Sequence, residues 1–471
     1  MADIFGRFNS IIAATVLMLV SSAICTAAPT HLLPLLLFGR ALQGIAASGI
    51  AVIVRTILAD GFSLQESTKN WAIFAFIGGL FYGLGPVVGG YLTRASWRWV
   101  FAINLPIGVL AVLVVILFLR KSLFGPQTVC DGEMQQRVSF TAQLKTIDVV
   151  GQTLFVLGFG LIVLGLTWGG VQYPWTSPAV LVPLIAGILL ICAFACWERE
   201  MEPDRRLAAV LSQKPMIPWC VISKRDIGIL FYTECATGMS MFSVLYFCNI
   251  YFTTVKDYTS DKAGVQLLYY LAGTAVGIYI CSMLCNVWPR KSFLPLILGT
   301  FIETIGIMVL VWALHVAHDP TIFGIMGLVG VGSGIRYMIA PMHGIGLFKA
   351  HRSTIIGLMA VAVPLGGTVG LTVMSALFNN TSGLEYKDHE SIALRAAIPS
   401  SVNDGKDKAK EGVVWAFVGI VPFLLLSLIC NLFLGNVDLA AKQVDETTEV
   451  ISRPYLGVLM QRSIATRRRR F

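Results

Sequence analysis

The chain has 471 residues, of which 56% are hydrophobic and 13% charged, and its 35 Lys and Arg against 26 Asp and Glu leave a net charge of +9. Soluble domains carry about 25% charged residues, so this composition excludes a soluble globular protein and describes an all-α chain that crosses a membrane many times. The basic residues are spread along the chain rather than gathered into a soluble domain, which excludes nucleic acid as a partner. Ten cysteines, mostly inside apolar runs and with no C-x-x-C pair, and six scattered histidines predict neither a disulfide framework nor a metal site.

About 20 apolar residues cross a ~30 Å hydrocarbon layer. Such runs fall at 10–28, 32–59, 70–92, 98–119, 147–168, 178–197, 226–252, 263–287, 293–314, 321–347, 353–378 and 412–434. Twelve spans put both termini on one side, and the weight of Lys and Arg in alternate loops makes that side cytoplasmic. On this topology the sequons at Asn379 and Asn380 lie in the long outer loop 379–411 and are glycosylation candidates.

In chain order, the first informative residues are Asp3, Gly6 and Arg7, just ahead of the first span. The second span carries Arg40, Gln43 and Gly44. The third is crowded with glycine around Pro86: Gly85 and Gly89 repeat at i, i+4 beside Gly90. Small residues let membrane helices approach closely, and proline removes a backbone donor and bends the helix. Trp97, Arg98 and Trp99 follow, aromatic and cationic groups suited to the membrane–water boundary, and lead into Asn104, Pro106 and Gly108. Further on stand Asp148 to Gly151, Trp168-Gly169-Gly170 with Tyr173-Pro174-Trp175, and a second proline–glycine cluster, Pro364-Leu365-Gly366-Gly367 with Gly370.

Gly85-Pro86-x-x-Gly89-Gly90 resembles the antiporter motif of major facilitator superfamily exporters. Trp97-Arg98-Trp99 with Asn104, Pro106 and Gly108 resembles the signature of that superfamily's fourteen-span drug:proton antiporter branch, of the fungal type. Asp3, Gly6 and Arg7 resemble part of the superfamily's cytoplasmic gate motif, and Arg40, Gln43 and Gly44 its R-x-x-Q-G motif. The gate motif follows the second span in relatives, so the resemblance implies a chain shortened by two spans. It also implies an organisation: an incomplete four-span bundle (1–119), a cytoplasmic linker (120–146), an inserted central pair (147–197), a cytoplasmic loop (198–225), a six-span bundle (226–434) and a basic cytoplasmic tail (435–471). In that tail Arg467, Arg468, Arg469 and Arg470 suit acidic headgroups.

An ionisable side chain inside a span costs about 2.5–3.5 kcal/mol on insertion scales and is a functional candidate by default. Glu234 and Glu303 lie deep in their spans beside small and hydroxylated residues, and each is a candidate proton carrier or, alternatively, a hydrogen-bonded structural carboxyl. For Arg40 the resemblance implies a role in holding the bundle and influencing proton transfer; the alternative is an arginine paired with carbonyls of the missing first span. Arg336, in a glycine-rich run, is either a counter-charge to one of the carboxyls or a packing residue. No G-x-x-x-x-G-K-[ST] occurs, and Gly330-Val331-Gly332-Ser333-Gly334 is not a nucleophile elbow because its serine is at the fourth position. No enzyme and no cofactor is expected. The resemblance implies a monomeric proton-driven exporter of drugs or small metabolites, placed in the plasma membrane rather than the vacuole. The alternatives are an inactive truncation product and a non-transporting sensor on the same fold.

Overall fold

The computed structural model describes residues 6–59, 73, 77–78, 81, 84–85, 87–89, 91–92, 96–120, 148–170, 172–202, 215–288, 291–348, 351–382 and 402–437. These residues are almost entirely helical, and eleven of their helices are long and apolar enough to cross a membrane. The chain is an all-α polytopic membrane protein. The eleven match the expected spans except 70–92, most of which lies outside the described residues; its described positions are helical. Asp3, Pro86, Gly90 and Arg467 to Arg470 also lie outside them.

One compact unit gathers 1–60, 87–152 and 198–216. Its described helices are α1 (Arg7–Ala27), α2 (Leu33–Ala59), α3 (Trp97–Ala102) and α4 (Asn104–Val114), the last continuing as a π-helical stretch to Leu119. Gly6 enters α1 at φ +80°, a conformation only glycine adopts freely. Gly39 packs against Cys25, and Gly108 against Leu19, so both helices flanking α1 approach it closely. Pro106 falls in the first turn of α4, where a missing N–H costs nothing.

The second unit gathers 61–86, 153–197 and 217–471. Its hairpin is formed by α5 (Val149–Trp168) and α6 (Pro178–Glu200). Asp148 caps α5 by accepting from the Gly151 N–H at 2.8 Å, and a side chain at Gly151 would collide with that carboxylate. The turn closes on Gly169 and Gly170, over which the Trp175 ring lies.

After a short turn of helix, α7 (Trp219–Ile222), come α8 (Arg225–Ile250, π-helical on to Val255), α9 (Ser260–Gln266), α10 (Leu268–Val287), α11 (Phe293–Val316), α12 (Asp319–Leu347), α13 (Arg352–Ser382) and α14 (Val402–Leu432). The buried core of this unit is aromatic and aliphatic, with Phe247, Tyr251, Phe252, Tyr270, Phe378 and Phe417 at its centre. Apolar area alone does not hold helices together in lipid, and close backbone packing takes over that role. The second proline–glycine cluster supplies it: Gly366 lies on the Cys235 carbonyl of α8, Gly370 on Met239, and Gly238 of α8 on the Val363 carbonyl of α13. In the third-span motif, by contrast, no described atom lies within 4 Å of where a Cβ would stand at Gly85 or Gly89.

Two expectations change. Helix α14 begins at Val402, about ten residues before the expected 412, because the polar stretch Asn403–Glu411 continues the helix. Helix α13 runs on to Ser382, so Asn379 and Asn380 stand on a helix and not in a loop. Asn379 is half-buried with its Oδ1 enclosed, while Asn380 is exposed.

Candidate functional site: a buried ion pair shared by four helices

Helix α12 crosses α11 at Gly332, where the missing side chain leaves room for the Glu303 backbone. That crossing sets the site. Arg336 lies one turn on along α12 and reaches back to Glu303: its NH1 pairs with Oε2, and both side chains are fully buried. Ser333, three residues before Arg336 and thus on the same face, donates to Glu303 Oε1 at 2.7 Å. The second arm of the guanidinium donates to the Thr233 carbonyl on α8 and, at 3.2 Å, to Ser427 Oγ on α14.

A second polar string runs beside the pair. Thr233 Oγ1 is 2.8 Å from Asn431 Oδ1 on α14, and Asn431 Nδ2 donates to Thr300 Oγ1 on α11 at 2.9 Å. Thr304 donates to the Thr300 carbonyl at 2.7 Å. Four helices are thereby joined at one level: Thr233 from α8, Thr300 and Glu303 from α11, Ser333 and Arg336 from α12, and Ser427 and Asn431 from α14. Glu303 is ten residues into α11, about 15 Å at 1.5 Å per residue, so the pair lies near the middle of that helix.

Chemically the site is a charged pair in which both oxygens of Glu303 are bonded, while Nε of Arg336 is enclosed without an acceptor among the described residues. A carboxylate in low dielectric is tolerable when paired and hydrogen-bonded. Here guanidinium and serine share the two oxygens of Glu303. Neutralising Glu303 would remove the charge attraction within the pair and leave Arg336 with the Thr233 carbonyl and Ser427 Oγ that it already contacts.

Of the four ionisable candidates, the structure brings Glu303 and Arg336 together and buries Glu234 beside Thr233 in the chain. Arg40 belongs to the other unit. It donates to Gln43 Oε1 at 3.1 Å and lies 5.7 Å from the Phe101 ring centroid. Gln43 donates in turn to Ser22 of α1 at 2.8 Å, while Gly44 faces open space among the described residues. The R-x-x-Q-G residues thus tie α2 to α1. Arg98 lies on the Trp97 ring and donates to the Ala28 carbonyl at the end of α1 at 3.3 Å, a cation on the negative end of a helix. Trp99 is exposed.

Sequence reasoning missed Thr233, Ser333, Ser427 and Asn431. Their signal was present: polar residues spaced three or four apart within otherwise apolar spans. Among the described residues no group of three His, Cys, Asp or Glu could hold a metal ion.

The proton:xylose symporter XylE, in its 6-bromo-6-deoxy-D-glucose complex, superposes with a TM-score of 0.51 at 13% identity, over 90% of this chain and 79% of that one. An auto-inhibited peptide transporter of the POT family gives 0.52 at 13%, over 95% and 85%. The fold is the major facilitator fold.

The family model described as Major Facilitator Superfamily matches residues 1–129. The chain is 29% identical to the MFS-type transporter ucsD of an Acremonium species over 86% of its own length and 65% of the relative's. To the MFS-type efflux transporter ffsH of Aspergillus flavipes it is 30% identical, over 81% and 64%. It therefore spans just under two thirds of the length of each of these two relatives. Membership of the facilitator superfamily is supported by the family model and by these relatives alike. At such low identity the structural likeness carries the fold alone.

Proposed function

We propose that the chain acts in a membrane transporter of the fourteen-span antiporter branch, exporting small organic molecules in exchange for protons. The relatives' names, one an efflux transporter, support the direction of transport. The observation that carries the proton coupling is the fully buried Glu303–Arg336 pair, held by hydroxyls from neighbouring helices. A group that must break an ion pair to accept a proton converts protonation into helix movement, which is what an antiporter requires. Glu234, buried on α8, is the second proton candidate. Arg40 and the motif residues of the first unit shape that unit, and Asp3, Gly6 and Arg7 latch its cytoplasmic end. The functional form is a monomer in the plasma membrane with both termini in the cytoplasm, its basic tail resting on acidic lipids.

The test is efflux from proteoliposomes under an imposed pH gradient, with Glu303→Gln and Glu234→Gln beside the parent chain. Glu303→Gln and Glu234→Gln each abolish gradient-driven efflux while leaving passive exchange of substrate, and the retained exchange shows that the variant has folded. Gradient-driven efflux at the parent rate in either variant removes that residue from the coupling.

A further inference from the structure

Helix α11, which carries Glu303, is capped at both ends by residues from elsewhere in the chain. Its own N-cap residue, Ser292, offers it no side-chain hydrogen bond. Asn436 does so instead: its Oδ1 accepts from the Phe293 N–H at 3.3 Å across 143 residues. At the far end Lys256 Nζ donates to the Ala317 carbonyl at 2.8 Å and pairs with Asp319 at 2.6 Å, a cation on the final carbonyls of α11.

The Asn436 end is more than a cap. Ser292 Oγ donates to the Val437 carbonyl at 2.8 Å and accepts from the Val437 N–H at 3.1 Å. It also lies 3.0 Å from Nδ1 of the fully buried His343 on α12. A hydroxyl has one proton, so with that proton on Val437 the imidazole is the donor, through Nδ1–H. Val437 fills the space that Gly346 of α12 leaves open, and all four residues from Leu434 to Val437 are buried. The exit from α14 thus lies across the ends of α11 and α12, fastened by hydrogen bonds without a charge.

We propose that Leu434–Val437 is an intramolecular clasp: it supplies the missing N-cap of α11, fastens α11 to α12 through Ser292 and His343, and holds the ends of α11, α12 and α14 as one body. Glu303 then rides on a helix fixed at both ends, and any change imposed on the chain after Val437 reaches that helix through Asn436. The clasp is independent of the transport reading, and its test measures no transport.

The experiment is hydrogen–deuterium exchange on the full chain in lipid nanodiscs, followed over the amides of 291–300 and 434–437. Asn436→Ala removes the acceptor, and exchange in the first turn of α11 rises about five- to tenfold, the loss of one buried bond. Asn436→Asp keeps an acceptor oxygen at a helix N-terminus and restores exchange to within about twofold of the parent. An Asn436→Ala chain exchanging at the parent rate, or an Asn436→Asp chain as fast as the alanine variant, overturns the clasp. Should Asn436→Ala not fold, Ser292→Ala reads the same device from the other side. It leaves Asn436 in place and frees Val437, so faster exchange at 434–437 supports the clasp and unchanged exchange there overturns it.

Discussion

Replacing Arg336 with methionine tests the centre of the structure most directly. The substitution keeps an unbranched apolar stem but removes the guanidinium from between Glu303, Thr233 and Ser427. Three hydrogen bonds to or from a charged group, at about 1.5–3 kcal/mol each, would total roughly 4.5–9 kcal/mol. Such sums overshoot, because the orphaned groups relax or draw in water. Removing one partner of a buried pair costs about 3–5 kcal/mol, since the remaining charge is left uncompensated. Arg336→Met should therefore lower unfolding stability by about 3–5 kcal/mol. The assay is equilibrium unfolding in mixed micelles, in a cycle with Glu303→Gln and the double variant. In the double variant neither charge remains, so it should recover at least half of the loss and be more stable than Arg336→Met alone. If Arg336→Met is as stable as the parent, or the double variant is no better than the single, the pair does not hold these helices together.

Four further outcomes rest on particular positions. Gly238→Leu drives a side chain into the Val363 backbone of α13 and should cost about 1–3 kcal/mol of overpacking, read as a lowered melting temperature. Gly357→Ala, with no atom of another described element within 4 Å of its Cβ, should instead gain up to about 1 kcal/mol of helix propensity. Lys256→Met unties the Ala317 end of α11 from Asp319, for about 1 kcal/mol at low salt and less at 1 M, because the pair is partly exposed and screened. The Tyr258 phenol, which donates to the same Asp319 and is held above its usual range by that bond, keeps the carboxylate partnered. Asn380→Gln should leave electrophoretic mobility unchanged before and after endoglycosidase, since its sequon stands on α13 rather than in an open loop; a mobility shift would show that this turn opens.

Much of the fold was legible in the residues. Span positions follow from apolar run length, and eleven of the expected twelve coincide with described helices because no other backbone geometry satisfies its own hydrogen bonds in lipid. The same logic exposed Glu234, Glu303 and Arg336, since a charge within an apolar run is costly and must find a partner. The glycine cluster at Pro364–Gly370 was legible as an echo of the Pro86 cluster, and the structure packs it closely against α8, whereas at Gly85 and Gly89, where the sequence predicted a close approach, no described atom lies within 4 Å of a Cβ. Helix ends were less legible: Asn403–Glu411 are too polar to be counted as span, yet nothing in them stops a helix, and α14 begins among them.

What the residues alone determined was which groups are too polar for their surroundings and must find partners. They did not determine the partners, because pairing across helices depends on the crossing point and the rotation of each helix about its axis. Gly332 sets the crossing at Glu303, and helical rotation then decides that Arg336 turns to Glu303 and reaches Thr233 and Ser427 with its other arm. The Asn436 cap on Phe293 belongs to the same class of fact. Two residues 143 positions apart meet only because the ends of α11, α12 and α14 come together, and short-range pattern carries no record of that.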